Sequence, residues 1–180
     1  MKIYAALLSV LLLFTIATAQ TKKVQADKKE STMTYKLTHP LHEIEATSKD
    51  INCWADLDPG TKTVSHVYVQ IDVTTFNSGN SNRDSHAMEV IDAISYPYVK
   101  FNSSGIAQNG DKLKVSGKLL FHGVTRDLVF DAIPKWENNK LTVTGEFAIS
   151  LTAYKIERPS LLLVPVNDDL HFTFKSVFNL

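Results

Sequence analysis

The stretch Thr63-Val-Ser-His-Val-Tyr-Val-Gln-Ile-Asp-Val73 decides the fold. Val67, Val69, Ile71 and Val73 repeat with a period of two, and His66, Tyr68, Gln70 and Asp72 take the alternate positions. Branched apolar residues on one face and polar ones on the other make a half-buried strand, not a helix. The same alternation spreads outward from it. Upstream it runs through Met33, Tyr35 and Leu37, then His42, Ile44 and Ala46, then Ile51, Cys53, Ala55 and Leu57, before the turn Asp58-Pro59-Gly60. Downstream it resumes at Tyr98–Ser103. It continues through Lys112–Phe121, with Leu113, Val115, Gly117, Leu119 and Phe121 inward, and through Arg126–Pro134. Leu141, Val143, Gly145, Phe147, Ile149 and Leu151 form a long face, and Leu170, Phe172, Phe174 and Phe178 form the last. The pattern predicts an all-β fold of about eight to nine antiparallel strands with one short helix, in a sandwich or a barrel.

Length and composition narrow the reading. The chain has 180 residues, enough for one domain with a substantial core. Residues 1–19 read as a secretory signal peptide: Lys2, an apolar run over Ala5–Ile16 too short to span a bilayer, and Ala17-Thr18-Ala19 with cleavage after Ala19. Secretion or a periplasmic location follows, with no stable membrane insertion after cleavage. Residues 20–30, rich in Lys, Gln and Asp, read as a flexible, solvated leader, and residues 31–180 as the folded domain. The formal net charge is +0 and becomes −1 once Lys2 is removed; no basic stripe exists, so nucleic acid is excluded as a partner. Cys53 is the single cysteine, so an exported chain must stabilise itself by burial without a disulfide. Alternating with Ile51 and Ala55, it reads as a buried apolar residue. Gly117 and Gly145 fall on apolar faces, where they bend a strand or leave a cavity. A barrel with this lining holds an apolar ligand or is filled by its own side chains; both remain open here.

One segment breaks the alternation. Asn77-Ser-Gly-Asn-Ser-Asn-Arg-Asp-Ser-His86 is a polar turn, followed by a short helix-like run before Phe101. Asn82 is the expected helix cap, with Asp84 in the first turn and Met88 and Ile91 turned toward the barrel. Two readings stand for Arg83, Asp84 and His86. In one they line a mouth and meet a polar head group, for which a guanidinium is apt. In the other they satisfy backbone and pin the crossing. His122 and Arg126 likewise read either as a polar cluster or as part of a tight hairpin in which Gly123 takes a positive φ. His39 and His42 have no accompanying metal motif, so neither metal nor cofactor is expected. No nucleophile elbow occurs, and a hydrolase or isomerase using His86 or His122 is kept only as an alternative to a non-enzymatic binder. Tyr154–Pro159 with Leu161–Val164 reads as a lid, as a surface for another subunit in a homodimer, or as a loop folded back on the barrel.

Four strings together resemble the YceI-like family: Ile71-Asp-Val-Thr-Thr-Phe-Asn-Ser-Gly-Asn80, Asn82-Arg-Asp-Ser-His-Ala-Met88, Tyr96-Pro-Tyr-Val-Lys-Phe-Asn-Ser103 and Val115-Ser-Gly-Lys-Leu-Leu-Phe-His-Gly-Val-Thr-Arg126. The resemblance implies an exported, antiparallel, lipocalin-like barrel that holds a long amphiphilic molecule, a polyisoprenoid or a fatty amide, and does no chemistry. For such a ligand the candidate contacts in this chain are Arg83, Asp84, His86 and Met88 at the mouth, Val69, Ile71, Phe101, Leu119, Phe121 and Phe147 on the inward faces, and Tyr154 in the loop after them. Two regions depart from the family pattern. Thr38-His-Pro-Leu-His-Glu43 stands where a His-Ser pair is usual, and Leu151–Pro159 keeps only the aromatic-x-Ile part of R-x-D-F-G-I. Contacts from those two regions do not carry over. The remaining alternative is a structural or stress-related interaction protein with a filled barrel.

Overall fold

An alternating strand buries its apolar face only when neighbours complete its hydrogen bonds and a second wall faces it. This chain meets both needs with one sheet curled on itself. A computed structural model describes residues 20–180; the expected signal peptide lies outside the described residues. The strands are β1 (Lys22–Gln25), β2 (Thr32–His39), β3 (His42–Ser48), β4 (Ile51–Asp58), β5 (Thr63–Asp72), β6 (Tyr98–Asn109), β7 (Lys112–Phe121), β8 (Val124–Glu137), β9 (Lys140–Ser150), β10 (Ser160–Leu161), β11 (Val164–Pro165) and β12 (Asp169–Asn179), with helix α1 (Ser81–Val90) between β5 and β6. Ten of them form one antiparallel sheet in the order β1-β4-β5-β6-β7-β8-β9-β12-β2-β3, and β10 and β11 pair separately as a small hairpin. The sheet is a half-barrel rather than a sandwich.

The nine strands legible in the alternation are all present, and β1 is the tenth. The flexible leader expected over residues 20–30 is therefore corrected. Lys22–Gln25 lies antiparallel on β4, with Val24 opposite Ala55, and Ala26 and Ser31 are buried. The polar composition of the segment hid a strand whose apolar positions are only Val24 and Ala26. β6 runs six residues beyond the expected end at Ser103, because a register shift between Ser103 and Gly105 absorbs the Ser-Ser-Gly interruption as a bulge.

The sheet's two edge strands, β1 and β3, do not pair with each other. Instead Ala26 bridges Phe178 of β12, and Asp27 N–H donates to Val177 O at 2.7 Å. Farther along, Thr47 of β3 exchanges two backbone hydrogen bonds with Asn77, at 3.0 and 3.1 Å. A second discontinuity lies between β8 and β9, whose pairing starts only at Ala132–Gly145. The segment after β9 lies near this split, tied there by Arg126 Nε to Ala153 O at 2.6 Å and by the His122 ring to Tyr154 O at 3.0 Å.

The two glycines on apolar faces make room for rings. Phe174 stands directly opposite Gly145, and a Cβ there would lie 2.7 Å from its ring. At Gly117 a Cβ would lie 2.6 Å from the Phe101 ring and 2.5 Å from the backbone oxygen of Asn102. In each case the aromatic ring covers the bare backbone, the cross-strand rescue of a strand glycine. The obstacle at Gly117 is fixed backbone; the nearest atoms at Gly145 belong to a side chain that can turn into the interior. Gly117→Ala is therefore expected to destabilise the fold by about 1–3 kcal/mol in urea unfolding, and Gly145→Ala by less. Equal stability of Gly117→Ala and the parent protein would contradict this account of the packing.

Candidate functional site: the interior and its mouth

The curled sheet encloses a cavity of about 220 Å³. A single water needs about 10–15 Å³ on the same kind of measure, so the interior is not filled by its own side chains. Carbon makes nearly the whole wall. Val69, Ile71, Phe101, Leu119, Phe121 and Phe147, the six interior positions expected from alternation, all line it. Four side chains outside that expected set add more of the wall: Tyr35, Phe130, Phe172 and Phe174. Phe130 is their hub, with ring centroids 5.5 Å from Phe101, 5.4 Å from Phe147 and 5.7 Å from Phe174, while Phe147 stacks on Phe172 at 5.1 Å. These separations are those of favourable aromatic pairs. Phe130, Phe147, Phe172 and Phe174 point inward yet stay only half-buried, because part of each ring faces the cavity.

α1 covers one end. Its cap is Asn80, not the expected Asn82: the Asn80 side chain accepts from Arg83 N–H at 3.1 Å, and Asn82 falls in the first turn. Two asparagines in Asn-Ser-Asn offer the same chemistry, and the turn made by Gly79, at φ 76°, selects the first. Arg83, His86, Ala87, Met88 and Val90 of α1 line the cavity, as does Ile91 just after it. The Arg83 guanidinium makes no ion pair or hydrogen bond among the described residues; only its backbone N–H is engaged. His86 Nδ1 stands 3.7 Å from Glu89 on the outer side. Tyr35 faces this group from β2. Burial pushes its phenol up, the Asp84 charge adds to that, and the Arg83 charge pulls it back. Arg83, His86 and Tyr35 thus contribute to a lining that is otherwise apolar.

Asp84 and Tyr154, expected among the ligand contacts, are not on the cavity wall. The Asp84 carboxylate accepts from Ser78 N–H at 3.1 and 3.3 Å, which closes the polar turn ahead of α1. Tyr154 is buried with its ring 5.7 Å from Phe121, behind the wall. His122 and Arg126 are anchors. His122 adopts φ 47° beside Gly123 at φ 70°, so both central residues of the hairpin are left-handed, and Tyr96 packs edge-on against the imidazole. His39 bonds Val164 O through Nε2 at 3.0 Å and accepts Leu41 N–H at Nδ1. Among the described residues no three His, Cys, Asp or Glu side chains gather closely enough to hold a metal. Nor is any helix there long and apolar enough to cross a membrane. Tyr35 is a lining side chain near Arg83 and Asp84 that alternation alone does not single out: it reads as one more inward residue until α1 is laid over it.

Comparison with known proteins agrees with this geometry. The model of the YceI-like domain matches residues 24–178. A UPF0312 protein of Pseudomonas syringae pv. tomato is 26% identical over 155 residues, covering 79% of each chain. A protein YceI of Salmonella newport is 25% identical over 126 residues, covering 67% of this chain and 66% of its own. Among solved structures, Burkholderia cenocepacia BcnA superposes with a TM-score of 0.77 at 23% identity, covering 84% of this chain and 98% of its own. A polyisoprenoid binding domain from Saccharophagus degradans gives 0.68 at 12% identity, covering 89% and 99%.

Deep in the cavity the wall includes Cys53 beside Ser176. Burial pushes the Cys53 thiol up from its ordinary 9.0 to about 12, against a smaller opposite effect of the Ser176 hydrogen bond. The folded state then keeps a proton that the unfolded chain releases above pH 9. Stability from this group is complete below pH 9 and falls as pH rises toward 12. At pH 10 the loss is on the order of 1 kcal/mol. Denaturant titrations at pH 8 and pH 10 should show a smaller alkaline loss in Cys53→Ala than in the parent protein, and parallel losses would rule out the burial effect.

Proposed function

Because the chain belongs to the YceI-like domain family, we propose that it is an exported protein that binds a long, lipid-like molecule inside the half-barrel and performs no chemistry on it. One observation carries this reading: a carbon-lined cavity with an uncompensated guanidinium at its mouth. Each methylene taken from water into such a wall contributes about 0.8 kcal/mol before ordering costs. A flexible chain therefore gains affinity with length until the cavity is full. Arg83 orients an anionic or strongly accepting head group, while Tyr35 and His86 supply the remaining polar contacts. The Saccharophagus degradans relative is a polyisoprenoid binding domain, which favours the same ligand class here.

The state of each candidate group supports a binding role without chemistry. The Cys53 thiol is held protonated, the His122 ring is committed to a carbonyl, and His86 has only an exposed carboxylate beside it. None forms the nucleophile–base pair that covalent catalysis needs. The apolar run and the Ala17-Thr18-Ala19 pattern in the sequence support export.

Organic extraction of purified protein followed by mass spectrometry is expected to recover a bound long-chain molecule. Val69→Trp, which fills the cavity from one wall, should lower uptake of a fluorescent polyene fatty acid by about tenfold or more without unfolding the protein. Arg83→Gln should weaken the fatty acid by about tenfold, or 1.4 kcal/mol, yet leave its methyl ester nearly unchanged. No extracted lipid and no uptake of either probe would overturn the reading.

A further inference from the structure

The two ends of the half-barrel differ in kind. At the end away from α1 the connections are Asp58-Pro-Gly-Thr-Lys-Thr63, Asn109-Gly-Asp-Lys112 and Glu137-Asn-Asn-Lys140, all polar. The end that carries the mouth presents α1, the β2–β3 turn, the His122–Gly123 turn and the segment 151–168. There Leu41, Leu161, Leu162, Leu163 and Val164 are exposed, Leu162 at 79% and Leu163 at 97%. Ile94, just beyond α1, is 96% exposed at the same end.

The leucines sit on a built support. β10 and β11 pair with Leu161 opposite Val164, so Leu162 and Leu163 alone form the turn. Both are left-handed, at φ 53° and 68°. Hairpin turns of this kind take Asn-Gly by preference, and leucine there is strained. The base of the hairpin is held by Arg158, whose Nε donates to Val166 O at 2.8 Å. It is also tied to the β2–β3 turn by His39 to Val164 O and by Asn167 N–H to Thr38 O at 2.8 Å. Leu41 is carried on that same turn. The result is a narrow, convex aliphatic point fixed at the edge of the mouth, while Ile156 and Pro159 of the same segment line the cavity. From Arg158 to Asn167 the only charge is cationic.

We infer that the Leu161–Val164 hairpin, with Leu41 beside it, is a membrane-docking point that inserts into a lipid bilayer and sets the mouth against its surface. A protruding tip of two leucines offers a protein partner little area, whereas acyl chains close around it from all sides. Left-handed, exposed apolar residues of this kind cluster at binding and interaction sites. The polar far end and the apolar mouth end fix the orientation. A ligand of the class proposed above could then pass between bilayer and cavity without crossing water. That transfer role rests on the proposed cargo; docking itself does not, so the two fail separately.

The test is co-sedimentation of delipidated mature protein with phosphatidylcholine vesicles, alone and with phosphatidylglycerol. Binding is expected to both, and L162N/L163G is expected to lower it by about tenfold or more. The same variant satisfies the turn preference, so its melting temperature should equal or exceed that of the parent, and its uptake of fatty acid from solution should be unchanged. Absence of the parent protein from both vesicle pellets would overturn the inference, as would equal binding by the variant. A parent dimer in lipid-free sedimentation velocity that L162N/L163G converts to monomer would also overturn it, by making a second copy the occupant.

Discussion

Everything in this molecule depends on closing a sheet whose two edges never pair. An unpaired edge presents backbone donors and acceptors that must be satisfied or shielded. Here the edges are closed at two separate places, the end of β1 against β12 and the end of β3 against the segment after β5. One stitch joins residues 26–27 to 177–178, and Val177 N–H also donates to Ser31 Oγ at 3.1 Å. The other joins Thr47 to Asn77, with Ser48 Oγ and Thr75 Oγ1 2.6 Å apart beside it.

The buried residues fall into two clusters. Around the seam, Ala26, Ala46, Cys53, Ala55, Leu57, Leu141 and Phe178 pack almost wholly out of solvent. This core, which mixes small residues with Leu57, Phe76, Leu141 and Phe178, lies at the closure. Along the rest of the wall the larger aromatic side chains lean on one another rather than on a filled centre. A second buried cluster, with Leu113, Val115, Leu128, Ala132, Ile149 and Leu170, backs the cavity wall, so burial on both sides and hydrogen bonding along the ladders hold the fold. The polar stretch ahead of α1 serves both regions: Asn77 closes the seam, Asp84 closes the turn, and Arg83 is left over at the mouth.

Period-two alternation made the nine long strands legible, with their inward residues from Val69 to Phe178, because a half-buried strand leaves a strong local signal. β1 was not legible. Its polar residues pair by backbone, and only Val24 and Ala26 mark the buried side. The wall positions were legible one strand at a time, but the meeting of Tyr35 with Arg83 was not, since it depends on how a helix is laid across strands distant in sequence. That Asp84 and Tyr154 lie off the cavity wall was not legible for a related reason. A carboxylate near a cap and a tyrosine near a mouth carry the same local signature whether they face inward or satisfy a turn. The filled and open interiors could not be told apart by composition either. Gly117 and Gly145 fit both, and only the placement of the Phe101 and Phe174 rings explains them.

The aromatic collar around Phe130 has a thermodynamic consequence. A wall of carbon gives water few partners, so an entering chain releases little ordered solvent and instead gains dispersion contacts with rings that already stand close together. Association should therefore be driven by enthalpy near room temperature, with a negative heat-capacity change marking the chain's own loss of hydration. The rings can also turn on their bonds to follow chains of different shape. Such a wall discriminates by length and thickness more than by chemical detail, and leaves fine recognition to the few polar groups at the rim.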